Sequence, residues 1–299
     1  MNFRFRHLRY FIAVAEEQHF RRAAERLGIA QPAISRAIRD LETDLGVVLF
    51  ERSNKKVEIT PAGQRFLKDC KNIWRSLENA VTDVRLVSEG RAGALRVGYT
   101  DMAISGRLPG LLKEFQDREP GIVLRPHMDP TIYQLERLRN DELDIAFVTG
   151  PIKESGLEQL PIQSEKFVCI VYSSHPLAKR ESVRLEELAN EDFVLGPAKE
   201  WEHFQAYLFP MCRQAGFIPK VTQEAYDTSG IIGLIACGMG LTVHTEGVRR
   251  FLRTDVTMVP LSDPHEPLMT VAVWKRNHRS GPVDRFLDFI GERKLPDST

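Results

Sequence analysis

The sequence predicts an α/β protein in three parts: a small helical N-terminal unit carrying a β-hairpin, a long linker helix, and a larger two-lobed α/β body. Three observations predict it. Residues 19–42, HFRRAAERLGIAQPAISRAIRDLE, read as two short amphipathic helices joined by a tight turn. Residues 61–88 keep an apolar heptad stripe. From residue 94 onward, strand-like and helix-like segments alternate. A chain of 299 residues has room for two or three compact units.

In the first of the two short helices, Ala23, Ala24 and Leu27 share one face, and Gly28 closes it by taking the left-handed conformation at little steric cost. In the second, Pro32 falls in the first turn, where its missing N–H would have no partner anyway. Ala33, Ile34, Ala37, Ile38 and Leu41 form an inward stripe, and Gln31, Ser35, Arg36 and Arg39 face outward. This is a helix-turn-helix, whose second helix enters a DNA major groove. Gln31 suits an adenine edge, Arg36 and Arg39 suit guanine or phosphate, and Ser35 suits a phosphate oxygen. Arg22 and Pro32 complete this set on the helices. An arginine-rich outer face is also what an ordinary solvated helix presents, so the following segment decides.

That segment, LGVVLFERSNKKVEITPAG at 45–63, reads as two short strands, Leu49-Phe50 and Val57 to Ile59, around a polar tip of Ser53, Asn54, Lys55 and Lys56. A hairpin here is a wing that sets Arg52, Lys55 and Lys56 beside a duplex backbone. Residues 1–60 hold 11 Lys and Arg against 8 Asp and Glu, while the whole chain is neutral. The excess agrees with a nucleic-acid partner without proving one.

Pro61 opens the next helix. Phe66, Cys70, Ile73, Leu77, Ala80, Val84 and Val87 recur at alternating steps of four and three, a heptad stripe. A helix over 61–88 is roughly 40 Å long and has no core of its own for such a stripe. Packing on the body of the same chain is one outlet. Pairing with a second copy is the favoured one, and it would join two reading heads for a pseudo-palindromic site. Glu89, Gly90, Arg91, Ala92 and Gly93 break the pattern and read as a hinge. The parts are then 1–60, 61–90 and 91–299.

In the body, LRVGYT (95–100), IVLRPHM (122–128), LDIAFVTG (143–150), FVCIVYS (167–173), FVLGP (193–197), LTVHT (241–245) and LMTVAVWKR (268–276) read as strands. Helices are expected over 108–120, 131–142, within 201–217, over 231–240 and over 283–293, with Pro210 interrupting the third of these. Strand–helix alternation implies mainly parallel sheets with helices on both faces, and the length suffices for two lobes. Ligands of such sheets bind beyond the carboxyl ends of strands. That rule selects Thr100, Asp101 and Met102 after the first strand, Asp129 and Thr131 after the second, and Thr149 at the end of the third. Pro197 to Phe204 follow a later strand, with Trp201 and His203 the distinctive side chains. Asp227, Thr228 and Ser229 precede a helix. Asp101 has two readings, helix cap and ligand contact, and would repel a carboxylate placed beside it. Trp201 is either a stacking wall or lobe core. Arg107, Lys199, His203 and His244 are the candidate sources of positive charge.

The composition is that of an ordinary globular chain. No apolar run reaches a membrane span; Ile231 to Val243 is the nearest and is broken by glycines. The N-terminus has arginines but no apolar signal-peptide core, so a cytoplasmic location is expected. Cys70, Cys169, Cys212 and Cys237 are widely spaced and read as reduced thiols. No GxSxG, HExxH, P-loop or GxGxxG appears, and the histidines show no metal-ligand spacing, so neither an enzyme nor a cofactor nor a metal is expected. A solute-binding protein would need export, and a purely architectural DNA binder would not need so large a body.

The segments LRYFIAVAEEQHFRRAAERLGIAQPAISRAIRDLETDLGVVLFERS and ITPAGQRFL resemble the LysR-type transcriptional regulators densely over residues 8–67. LRVGYT, LDIAFVTG and IACGMGLTV extend the resemblance along the chain. It implies a winged helix-turn-helix, a dimerising linker helix, and a periplasmic-binding-protein-like effector domain. It also implies dimers paired into tetramers, double-stranded DNA and a small organic, often aromatic, effector as partners, and RNA polymerase as a candidate further partner. Lobe one would be 94–162 with 268–299 and lobe two 163–267, the chain crossing near 162–166 and near 265. Thr131 falls where the family commonly places a ligand-binding hydroxyl. Met102 stands where some aromatic-acid-sensing members have a serine, a departure.

Overall fold

The chain folds as two units, Met1–Arg85 and Leu86–Thr299, in a computed structural model that describes residues 4–52, 57–88, 92–277 and 280–293. The first unit opens with a helix that the motif reading did not single out, α1 (Phe5–Glu17). It is followed by α2 (Phe20–Leu27) and α3 (Gln31–Leu45). Gly28 ends α2 with φ 67°, as the turn demands of a residue without a Cβ. A two-stranded antiparallel hairpin, β1 (Phe50–Arg52) with β2 (Val57–Ile59), pairs Phe50 with Ile59. Glu42 of α3 anchors it, accepting from the backbone N–H groups of Leu49 (2.9 Å) and Phe50 (3.1 Å). The helix α4 (Pro61–Ser88) then runs unbroken.

The core of this unit is built by period-3.6 faces of three helices. Leu8, Phe11, Val14, Phe20, Ala23, Ala24, Ile34, Ile38 and Leu41 are buried together with Phe50 and Cys70. Phe11 lies between Phe50 and Phe66, with centroids 5.3 and 5.2 Å away. Ala33, expected in the inward stripe, is exposed; it sits at the open first turn of α3, beyond the reach of α1 and α2. The heptad stripe divides. Phe66 and Cys70 pack into this core, whereas Ile73, Leu77, Val84 and Val87 remain exposed. Lys55 and the rest of the wing tip, and residues 89–91 of the expected hinge, lie outside the described residues.

The second unit has two lobes. In chain order it runs β3 (Gly93–Tyr99), α5 (Asp101–Ser105), α6 (Leu108–Arg118), β4 (Ile122–Met128), α7 (Thr131–Arg139), β5 (Ile145–Gly150) and β6 (Leu157–Glu165). Next come β7 (Phe167–Tyr172), β8 (Asp192–Leu195), α8 (Glu202–Gln214), β9 (Lys220–Glu224), α9 (Thr228–Ala236), β10 (Thr242–Thr245) and β11 (Val256–Pro260). The chain closes with β12 (Leu268–Lys275) and α10 (Gly281–Gly291). One sheet has the order β4-β3-β5-β12-β6; the other lobe holds β10-β7-β11 and the pair β8-β9.

Mainly parallel pairing is not what forms. β3 is parallel to β4 and β5, and β8 to β9, but β12 is antiparallel to β5 and β6, and β7 is antiparallel to both neighbours. The cause is the route of the chain. β12 returns from the other lobe and so enters the first sheet from its opposite end. Only Lys166 separates β6 from β7 in the outward crossing, and residues 261–267 make the return. Pro210 lies inside α8 without ending it. Pro210 and Ala206, whose carbonyl loses its partner, are both exposed, so water can satisfy the freed group.

Phe115, Phe147, Phe286 and Phe289 pack edge-on in the first lobe. Phe167, Phe193, Trp201, Phe204 and Leu208 centre the second, and Met102 of α5 reaches across to join them. In the first lobe, the Asp144 carboxylate receives the Arg96 backbone N–H (2.8 Å) and its guanidinium. Among the described residues, no helix is long and apolar enough to cross a membrane.

Candidate DNA-reading face and interlobe cleft

The first candidate surface is the outer side of α3. Ile34, Ala37, Ile38 and Leu41 turn inward, which fixes the helix and leaves Gln31, Pro32, Arg36 and Arg39 exposed, with Ser35 half-buried. The Arg39 guanidinium donates to the Ser35 carbonyl at 3.3 Å, so it already lies along the helix axis. Arg22 is exposed on α2, and Arg52 closes β1. The end of α1 is tied to both α2 and α4: Arg26 bridges Glu16 (2.9 Å) and Glu17 (3.2 Å), and Lys71 of α4 also reaches Glu16 (2.9 Å). Those neutralised cations leave the outer arginines as the positive charge of the face.

The second surface is a cleft between the lobes, open to solvent on one side. Its lining includes Thr100, Asp101, Met102, Thr131, Thr149, Trp201 and His203, so residues up to about a hundred positions apart meet here. Glu200, inside the selected segment 197–204, lines it as well, whereas the strand-end rule missed Met128, Pro130 and Tyr226. Their only sequence signal was adjacency to residues the rule did select.

The local causes are clear. Thr100 caps α5, its Oγ1 accepting from the Ala103 N–H at 3.2 Å. Thr131, at the start of α7, is buried, and its hydroxyl accepts from the Thr149 N–H at 3.2 Å. A hydroxyl keeps its own hydrogen for another partner. The Thr149 hydroxyl lies 3.8 Å from the Met102 sulfur, so Met102 is a buried packing residue whose flank meets the cleft. Trp201 fills both of its readings: it is buried in the lobe core, donates Nε1–H to the Tyr226 carbonyl (3.2 Å) and still faces the cleft.

Asp101 likewise does more than cap. Its Oδ1 accepts from the Met102 N–H (3.0 Å), while Oδ2 takes both the Thr228 N–H (2.8 Å) and the Thr228 hydroxyl (2.5 Å) from the opposite lobe. Thr228 stands behind this contact rather than in the cleft lining. Further bonds close the lobes: Tyr133 donates to Glu200 at 2.9 Å, Arg250 donates to the Gly106 carbonyl at 2.8 Å, and the Tyr207 hydroxyl donates to the Gly150 carbonyl.

The expected cations fare differently. His244 is fully buried, and burial pushes its pKa down, so it is neutral at neutral pH and supplies no charge. Its Nδ1 accepts the Thr245 N–H at 2.8 Å, which leaves Nε2–H to face the Thr228 hydroxyl at 3.0 Å. His203 is also held neutral by burial, and its Nδ1 has no hydrogen-bond partner among the described residues. Lys199 lies 5.4 Å from the Tyr133 ring centroid, and Arg107 heads α6, with neither in the cleft lining.

Comparison with known proteins joins these two surfaces. Residues 5–64 match the family model described as bacterial regulatory helix-turn-helix protein, lysR family, and residues 88–294 match the LysR substrate binding domain. The chain is 33% identical to the HTH-type transcriptional regulator TdfR of Cupriavidus pinatubonensis over 95% of its own length and 96% of that protein's. It is 29% identical to AlsR of Bacillus subtilis, over 94% of its length and 93% of that protein's. The structure of full-length CbnR complexed with its target DNA aligns with a TM-score of 0.78 at 26% identity, covering 97% of this chain and 99% of that one. The two family models and the aligned relatives together span nearly the whole length, from the helix-turn-helix to the two-lobed body, and the chain belongs to the LysR family of DNA-binding transcriptional regulators.

Proposed function

We propose that this chain regulates transcription without catalysis, reading a pseudo-palindromic duplex site with paired winged helices and answering a small organic effector held between the lobes. The observation that carries the DNA half is the fixed polar face of α3, with Gln31, Arg36 and Arg39 exposed above a buried apolar side. Gln31, Arg36 and Arg39 contact base edges or phosphates, Pro32 and Ser35 set the start of the helix against the backbone, and Arg22, Arg52 and Lys55 add charge for the duplex. Two heads are joined by the exposed stripe of α4, and dimers pair into tetramers. CbnR has been solved on its target DNA, which supports the same use of this fold. Regulatory work of this kind places the protein in the cytoplasm, with RNA polymerase as a further partner.

The effector half rests on Thr100, Asp101, Met102, Thr131, Thr149, Trp201 and His203 around one cleft, with Thr228 behind Asp101. The effector-binding domain of BenM has been solved with benzoate, which supports a ligand of that size. An effector changes the assembly on DNA only through different affinities for two lobe arrangements.

The test uses duplexes selected from a random pool by the wild-type protein. Arg36→Ala should cost about 1–3 kcal/mol of affinity, or lower the salt dependence by about one unit per contact if the partner is a phosphate. Unchanged affinity and unchanged salt dependence would remove α3 as the docking face. Thr131→Val should blunt the effector response and spare DNA binding; a normal response would move the effector site elsewhere.

A further inference from the structure

We propose that Asp101 is a resident anion: its carboxylate occupies the N-terminus of α9 and so excludes acidic ligands from the cleft, which is left to neutral or cationic effectors. This rests on the reading of the cleft as the effector site.

The first N–H groups of a helix have no intrahelical partner and carry a partial positive charge, which draws anions. In α9 that position is already taken. Asp101 reaches it from the other lobe and binds the Thr228 N–H at 2.8 Å and the Thr228 hydroxyl at 2.5 Å. The Gly230 N–H, two residues further along, is bound by Asp227 at 2.7 Å. The hydroxyl is locked in this sense. His244 has its Nδ1 committed to the Thr245 N–H, so its Nε2–H faces the Thr228 oxygen and turns the hydroxyl hydrogen toward Asp101. A carboxylate entering the cleft finds these donors spent and a like charge in place.

The rest of the lining points the same way. Asp129 and Glu200 add carboxylates, the first paired with Arg137 and the second receiving the Tyr133 hydroxyl. Among the described lining residues, His203 is the one basic side chain. Trp201, Phe204 and Tyr226 bring three aromatic rings to the same lining. Such walls favour a neutral aromatic or a cation over an acid.

The experiment measures benzoate and benzyl alcohol binding to the full-length protein by calorimetry, in wild type, Asp101→Ser and Asp101→Asn. Asp101→Ser vacates the N-terminus. It should bind benzoate roughly tenfold or more tightly than wild type does, with no comparable gain for benzyl alcohol. Adding Thr228→Pro, tolerated at a first helical position but lacking the N–H, should abolish the gain. Asp101→Asn keeps the shape and removes the charge, so it should shift the benzoate preference in the same direction even if the serine variant fails to fold. Wild type binding benzoate as tightly as the variants, no gain in either variant, or an equal gain for benzyl alcohol would each overturn the resident anion. Duplex binding of Asp101→Ser with and without benzoate separates the underlying reading. Benzoate that binds without changing DNA affinity would leave the resident anion standing and remove the effector role of the cleft.

Discussion

Replacing Val84 by glutamate should dissociate the assembly without unfolding the protein. Ile73, Leu77, Val84 and Val87 of α4 are 46, 38, 69 and 65% exposed, together equal to a little over two fully exposed side chains. Burying an aliphatic side chain contributes about 1.5–3 kcal/mol, so covering the stripe on two helices is worth on the order of 10 kcal/mol. Association costs about 4–15 kcal/mol in lost freedom, so the stripe decides whether a dimer persists. Val84→Glu removes a large part of it on each helix and adds two carboxylates facing each other. A loss of about 4 kcal/mol raises the dimer Kd roughly a thousandfold. Sedimentation velocity across a concentration series reads this directly; the variant should keep the helical content of wild type because Val84 packs in no core of its own chain, and its melting midpoint should lose only the concentration-dependent part that association supplies. An unchanged dimer Kd in a folded Val84→Glu protein would refute the assignment of this stripe.

Three further outcomes are expected. Below about pH 6.5, the unfolded chain takes up protons that His203 and His244, with pKa values pushed down by burial, refuse in the folded state. Stability should therefore be full above that pH and decline as pH falls, while the raised Glu165 carboxyl acts in the opposite sense at lower pH; denaturant melts with no decline down to about pH 5.5 would refute this. Native thiol titration should label Cys237, which is exposed, quickly, and spare Cys70, Cys169 and Cys212, whose thiols burial pushes up to about 12; rapid labelling of all four would contradict it. Asp144→Ala leaves the mostly buried Arg96 without its carboxylate and should cost about 3–5 kcal/mol, a loss that a chemical denaturation series would detect and an unchanged midpoint would disprove.

What could be read in the residues follows how each element buries its side chains. α2, the turn at Gly28, α3 and α4 announce themselves because period-3.6 stripes and helix-end residues coincide there. β3, β5, β7 and β12 do so because they are near-continuous apolar runs. β9 is exposed along its whole length, so KVTQE carries no hydrophobic pattern to read. β6 is broken by Pro161 and pairs through a register shift at Thr270 and Val271, which erases its alternation. α5 has only five residues, too few to show a period. The strand-end rule gathered most of the cleft, since topology puts strand ends together whatever the side chains. It could not show that Asp101 turns toward Thr228, because that bond depends on how closely two lobes approach.

Cys70 and the exposed stripe share one uninterrupted helix, the first locked into the head's core and the second open to a partner. In the proposed dimer, the angular setting of the reading head about the dimer axis is therefore encoded in a residue count. Each residue inserted between Cys70 and Ile73 would turn the head by about 100° relative to the seam. Seven residues would nearly restore the phase while moving the heads about 10 Å along the axis. In α4 the number of residues acts as a phase constant, and evolution can retune half-site geometry there without touching any residue that contacts DNA.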